Sequence, residues 1–351
     1  MPSLRIAIDI TQLERDYRGM GFFLREFLFH LSQSNLQQFE FFLVVKRKEN
    51  LLENFPYPVT TPKEAPQFSL VWFPFNHPTF KPKGPYVITL HDLAPFVFSH
   101  GEKALQKKFF EGAKSAKKVV VDSKFILEEA KKHFPSCKEK MVQIYPGFRS
   151  HWPPPKAFPI EWPYLLAIGP AEPRKNFERL LMAFARLKRQ NFPHKLVVVG
   201  ELPPRRKKVG FFWVERKNPL PSLAKKLRIS QDVIFPGIVS RDILARWYEH
   251  ASLLVVPSLY EGFGFPVLEA YSFGIPVACS YAGSLPEVAG DGAFFFNPHN
   301  SDEMSAVLYH ALTDKKAVQQ KKVLASTQLK QFSWEVCIQN YLKLFESASK
   351  S

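Results

Sequence analysis

The sequence predicts an α/β fold built from two doubly wound parallel sheets. Short apolar runs alternate with amphipathic stretches, the pattern of strand–helix–strand units. That alternation occurs twice, and a proline-rich break separates the two runs. The 351 residues suit two domains of roughly 150–200 residues each.

In the first half, residues 4–10 read as a strand, 21–31 as an amphipathic helix and 39–45 as a second strand. Further short buried strands are expected at 70–74, 86–91, 118–121 and 142–145. Ser123 is placed to cap a helix over 124–132, because its hydroxyl can accept from a free amide of the first turn. Residues 151–163, HWPPPKAFPIEWP, then hold five prolines in thirteen positions. Proline lacks a backbone N–H and interrupts helices and central strands. The domain boundary therefore falls here, with a first domain over 1–155 and a second over 156–332. The second half restarts with strands at 164–168, 195–199, 233–235, 251–256 and 276–279 and helices at 176–190 and 241–250. The tail, 334–347, reads as a last amphipathic helix.

Composition narrows the class. Apolar content of 46% is ordinary for a folded protein, and no apolar run is long enough to cross a bilayer. The start, MPSLRIAIDI, resembles a strand rather than a secretory leader. Three widely spaced cysteines, Cys137, Cys279 and Cys337, give no zinc spacing and fit a reducing compartment. A net charge of +16 favours phosphate-rich partners. It is concentrated in residues 101–140, which hold eleven lysines against six acids, and in residues 203–217, a loop of six cations mixed with Phe211, Phe212 and Trp213. A solvated surface and an anionic membrane surface both fit these features. No nucleic-acid motif accompanies the charge, so no nucleic-acid partner is expected.

Residues 257–269, PSLYEGFGFPVLE, are the most telling stretch. Glu261 and Glu269 stand eight residues apart, with Gly262, Gly264 and Pro266 between them. An apolar strand precedes and an apolar-periodic helix follows, with Pro266 suited to its first turn. Free amides at a helix N-terminus favour a phosphate, and Glu261 on the same loop can receive hydroxyls. Together these point to a nucleotide sugar. A second stretch, LAIGPAEPRKNFERLL over 166–181, sets Arg174 and Lys175 before a helix capped near Asn176, where cations can neutralise a leaving diphosphate. In YVITLHDLAP, residues 86–95, His91 and Asp92 emerge at a strand's carboxyl end. In residues 16–28, Gly19 and Gly21 open a helix and allow close backbone approach to a phosphate.

The Glu-pair segment resembles the signature of family 4, group 1, of the retaining glycosyltransferases. That family has the GT-B fold, two Rossmann-like domains facing across a cleft, and EPRKN is similar to the pattern in a mannosyltransferase-rich subset. The resemblance implies that Glu261, with Gly262, Phe263 and Gly264, holds the donor sugar, and that Glu269 holds the ribose. It implies further that Arg174 and Lys175 meet the diphosphate, although Pro170 stands where the family often has a basic residue. It puts His91 against the sugar, Gly19 and Gly21 at the diphosphate, and Gly237, Ile238 and Val239 at the nucleobase. A C-terminal helix over 333–351 would pack back on the first domain.

The implied activity is retaining, metal-independent transfer of a hexose, mannose by the subset. The donor is a nucleoside diphosphate sugar, and the acceptor a glycan or lipid-linked hydroxyl. No Asp-x-Asp is present as a metal–diphosphate ligand, so no metal or other cofactor is expected. A cytoplasmic enzyme, peripheral on the inner face of the membrane, is the implied setting. Two other classes compete. A 2-epimerase on the same fold would need further acid–base carboxylates, for which the sequence offers no candidate. A non-catalytic GT-B partner would tolerate loss of Glu261, His91 or Lys175, yet all three are present.

Overall fold

The structure is a computed structural model. It describes residues 3–13, 19–46, 55–64, 68–98, 103–148, 152–154, 160–202, 205–209, 212–216 and 218–350, with only the backbone over 205–209 and 212–216. The chain forms two compact units, residues 1–149 with 332–351, and residues 150–331.

The first unit contains β1 (Leu4–Asp9), α1 (Gly19–Ser32), β2 (Phe39–Val44), β3 (Val59–Thr60), β4 (Leu70–Phe73), β5 (Tyr86–Leu90), α2 (Ala94–Val97), α3 (Lys103–Ser115), β6 (Lys118–Val121), α4 (Lys124–His133) and β7 (Met141–Gln143). Its strands pair in parallel in the order β3-β2-β1-β4-β5-β6-β7. The order reverses between β1 and β4, which makes their carboxyl ends the switch point of the sheet. Strands β4 and β5 are buried throughout, so they read as continuous apolar runs rather than alternating ones. Ser123 caps α4 as expected, its hydroxyl accepting from the amide of Ile126 at 3.2 Å.

The second unit contains β8 (Tyr164–Ile168), α5 (Phe177–Arg189), β9 (Lys195–Val199), β10 (Arg205–Val209), β11 (Phe212–Arg216), α6 (Leu220–Lys226), β12 (Val233–Gly237), α7 (Arg241–His250), β13 (Leu253–Val256), α8 (Phe265–Ser272), β14 (Val277–Ser280), α9 (Leu285–Ala289), β15 (Ala293–Phe296), α10 (Ser301–Thr313) and α11 (Lys315–Leu329). Six of these strands form one parallel sheet in the order β12-β9-β8-β13-β14-β15, with the switch point between β8 and β13. Leu165, Leu196, Leu253 and Val255 of the sheet and Phe184 of α5 belong to one buried core.

Three sequence expectations shift. Residues 203–217 read as a loop, yet β10 and β11 pair antiparallel, Arg205 opposite Arg216 and Val209 opposite Phe212. The run of four cations hides the strand pattern, because charge is depleted from most strands. Residues 293–296 form the edge strand β15, not read as one beforehand. The unit boundary lies at 149/150 rather than 155/156. Trp152 explains the difference, since its ring meets Tyr248 at 5.3 Å and Phe273 at 5.1 Å, both in the second unit.

The chain's last helix, α12 (Trp334–Lys350), belongs to the first unit. Its Tyr341 ring lies 5.0 Å from Phe27 of α1 and 4.9 Å from Trp72 of β4, and Phe345 lies 5.6 Å from Trp72. Gly147 gives α12 its seat, because a Cβ there would come within 2.3 Å of the Trp334 side chain. Trp334, Tyr341 and Phe345 are all buried. Tyr341→Ala should cost about 3–5 kcal/mol, the usual range for emptying a buried aromatic site. Urea unfolding measures this, and a loss below about 1 kcal/mol would mean the helix contributes little to the unit.

Candidate functional site

The site residues of the second unit gather at its switch point. Strand β8 ends at Ile168 and leads through Gly169 to Arg174 and Lys175, while its neighbour β13 ends at Val256 and leads to Glu261. Gly169 has φ +134, and a Cβ there would sit 3.0 Å from Cε of Lys175. Glycine therefore both permits the backbone turn and leaves room for the lysine stem. The two loops are tied directly, the amide of Leu259 donating to the carbonyl of Arg174 at 2.7 Å.

Glu261 is the centre of this arrangement. It is buried, and its Oε1 accepts from Lys175 Nζ at 2.6 Å and from Ser258 Oγ at 2.6 Å. Arg174 lies 3.5 Å from Oε2 and also pairs with Glu172 at 3.0 Å. Burial alone would raise the Glu261 carboxyl, but the charges of Lys175 and Arg174 and the two hydrogen bonds outweigh it, and the net shift is downward. Glu261 is thus held as a carboxylate, with Oε1 taken by Lys175 and Ser258 and Oε2 facing Arg174.

The glycine loop is braced from the strand beyond. After β14, Gly283 takes φ +62, and a Cβ on it would lie 2.8 Å from the amide nitrogen of Glu261. Ser284 donates its hydroxyl to the carbonyls of Glu261 at 3.0 Å and Phe263 at 2.6 Å. Gly264, at φ +111, closes the loop immediately before α8, and Pro266 lies in the first turn. Glu269, one turn along α8, accepts from the Tyr248 hydroxyl at 2.6 Å. Burial raises the Glu269 carboxyl, while the Tyr248 hydrogen bond and the Arg241 charge oppose that rise.

Two neighbouring strand ends complete the edge. Gly200, after β9, donates its amide to the carbonyl of Gly237 at 2.9 Å, and the amide of Gly169 donates to Val199. Gly237 has φ +77 with open space around it, and Ile238 beyond it is 78% exposed. Val239 is half-buried. These three line the carboxyl edge of the sheet, where open α/β sheets take their ligands.

In the first unit, Gly19 and Gly21 both lie in the first turn of α1; the preceding residues 14–18 lie outside the described residues. His91 follows β5 and is buried, with Nδ1 2.6 Å from Asp122 Oδ2 and Nε2 2.6 Å from the Pro74 carbonyl.

Several functional neighbours carry no signature of their own. Asn176 stands at the start of α5, but its side chain does not cap that helix. It adopts a left-handed conformation and donates instead to the carbonyls of Pro257 at 2.9 Å and Pro298 at 2.8 Å. That clamp holds the start of the Glu261 loop. Ser258, Tyr248, Gly283 and Ser284 were not singled out beforehand. Only the proximity of Ser258 to Glu261, and the glycine before Ser284, offered a hint in the sequence.

Solved structures with this architecture include glycosyltransferases. Sucrose-phosphate synthase from Thermosynechococcus elongatus superposes with a TM-score of 0.76 over 98% of each chain, at 18% identity, a likeness of fold. The family described as "Glycosyl transferases group 1" matches residues 149–324. O-antigen chain mannosyltransferase B of Escherichia coli is 31% identical over 269 residues, 72% of this chain and 67% of that protein. The chain therefore belongs to the group 1 glycosyltransferases. The serotype-specific mannosyltransferase WbdA of Escherichia coli is 32% identical over 196 residues, 54% of this chain but 23% of that longer protein.

Proposed function

We propose that this glycosyltransferase moves a mannosyl residue from GDP-mannose to a hydroxyl of a glycan or lipid-linked glycan in the assembly of a cell-surface polysaccharide. Transfer proceeds with retention and without a metal ion. The observation that carries the reading is the Lys175–Glu261–Arg174 cluster at the switch point. There, two cations can take up the charge developing on a leaving diphosphate while a carboxylate orients the sugar. The mannosyltransferase relatives support the choice of sugar. In this reading Glu261 is committed to hydroxyls and is not a nucleophile. The departing phosphate receives the acceptor's proton on the same face of the sugar.

Binding decides the donor. GDP and GDP-mannose should raise the unfolding temperature of the protein more than UDP and UDP-glucose do. A UDP preference would overturn the mannose assignment while leaving the enzyme class intact. Product stereochemistry tests the route, since an inverted anomeric centre excludes it.

We also infer peripheral attachment to an anionic membrane face. No helix among the described residues is long and apolar enough to cross a bilayer. On α3, however, Lys103, Lys107, Phe110 and Lys114 share one exposed stripe at helical spacing. Val97 and Phe98 at the end of α2 are exposed as well. Aromatic rings among lysines suit the headgroup region of an anionic bilayer. Flotation with vesicles containing phosphatidylglycerol should carry the protein at low salt and release it at high salt. No flotation at low salt removes this inference.

A further inference from the structure

The carboxyl ends of β4, β5 and β6 are tied together by one side chain. Pro74 follows β4, His91 follows β5 and Asp122 follows β6, and the imidazole of His91 bridges the other two. A backbone carbonyl only accepts, so Nε2, at 2.6 Å from Pro74, must carry a hydrogen. Nδ1, at 2.6 Å from the Asp122 carboxylate, needs one too. Both ring nitrogens are therefore used as donors, and neither is left to accept a proton.

The surroundings reinforce that state. Asp122 is 2% exposed, and its other oxygen, Oδ1, has no hydrogen-bond partner among the described residues. A neutral His91 would leave a buried carboxylate with no charged partner, which costs far more than the pair itself. Burial disfavours the imidazolium, but the Asp122 charge, the bonds to Asp122 and Pro74, and the charge of Asp92 together raise its pKa above the ordinary 6.5. From α12, Cys337 and Tyr341 lie near Asp122, and burial raises both above their ordinary values, so both are neutral at pH 7. The Phe23 ring of α1 meets the imidazole edge at 5.4 Å. The His91 amide donates to Asn76 Oδ1 at 2.7 Å, which fixes the backbone as well.

We propose that Asp122 is the positioning residue of His91, holding it as a doubly protonated imidazolium that cannot act as a base.

Ring-nitrogen NMR of the full chain, labelled with ¹⁵N-histidine, tests the proposal without any substrate. The His91 signals are assigned by their disappearance in His91→Gln. At pH 7 both ring nitrogens of His91 should read as protonated. In Asp122→Asn the titration should fall by about one pH unit or more, leaving a neutral ring with its proton on Nε2. A bare ring nitrogen in the wild type at pH 7 overturns the proposal, and that spectrum decides it even if the variant fails to fold.

Discussion

Replacing Glu261 by glutamine should abolish most transfer and weaken the fold at the same time. The carboxylate answers the buried Lys175 ammonium at 2.6 Å, so its loss leaves a cation out of water with no counter-charge. Breaking a buried pair in this way costs about 3–5 kcal/mol. Transfer should fall by roughly a hundredfold to a thousandfold, the range seen when a preorganised polar contact at the reacting sugar is removed. The double variant Glu261→Gln/Lys175→Met separates the two effects. Removing both charges should restore much of the stability, because an apolar replacement of a buried pair is often nearly neutral, while transfer stays low. Urea unfolding and initial rates read the two quantities. A single variant with normal stability and normal rate would exclude Glu261 from both roles. The pH dependence has a defined sign. The Glu261 carboxyl is held below its ordinary 4.5, so its contribution is complete above that pH and disappears as pH falls through the lower, folded value.

Gly200→Ala should be the most destabilising single-methyl change in the second unit among those considered. Gly200 has φ +140, a conformation that residues with a Cβ rarely adopt, and its Cβ would lie 2.1 Å from the carbonyl oxygen of Gly169. Backbone strain and overpacking each cost about 1–3 kcal/mol, giving a loss of about 3–5 kcal/mol together. The obstruction also pushes on Gly169, whose open face admits the Lys175 stem, so nucleotide binding should weaken as well. Gly237→Ala provides the comparison. It too needs a left-handed backbone, at φ +77, but no atom lies within 4 Å of its Cβ, so the cost should be only about 1–2 kcal/mol. Equal losses for the two variants would show that strain alone, and not the contact with Gly169, sets the effect.

The sequence by itself determined the architecture of each unit. A parallel strand covered on both faces is a short apolar run, and Tyr164–Ile168, Lys195–Val199 and Leu253–Val256 are such runs between amphipathic helices. These signals are local, so they survive without knowledge of the neighbours. The same holds for the Glu261 loop, where glycines, a proline and a following apolar helix sit within one stretch of chain. Edge strands are less visible, because β10 is a run of cations and β15 a run of apolar residues after a glycine turn.

Tertiary structure alone decided which partners these groups take. Lys175 and Glu261 are 86 residues apart in sequence and 2.6 Å apart in space, because β8 and β13 adjoin at the switch point. Asn176 has the composition of a helix cap, yet its donors go to Pro257 and Pro298, and a buried carbonyl that finds no local donor competes strongly for one. His91 was read as a residue facing the sugar, and only the adjacency of β4, β5 and β6 shows both its nitrogens spent on Pro74 and Asp122. Local periodicity encodes which face of an element is buried. Hydrogen-bond partners and ion pairs follow from the order in which strands are laid side by side, and that order is a property of the assembled sheet.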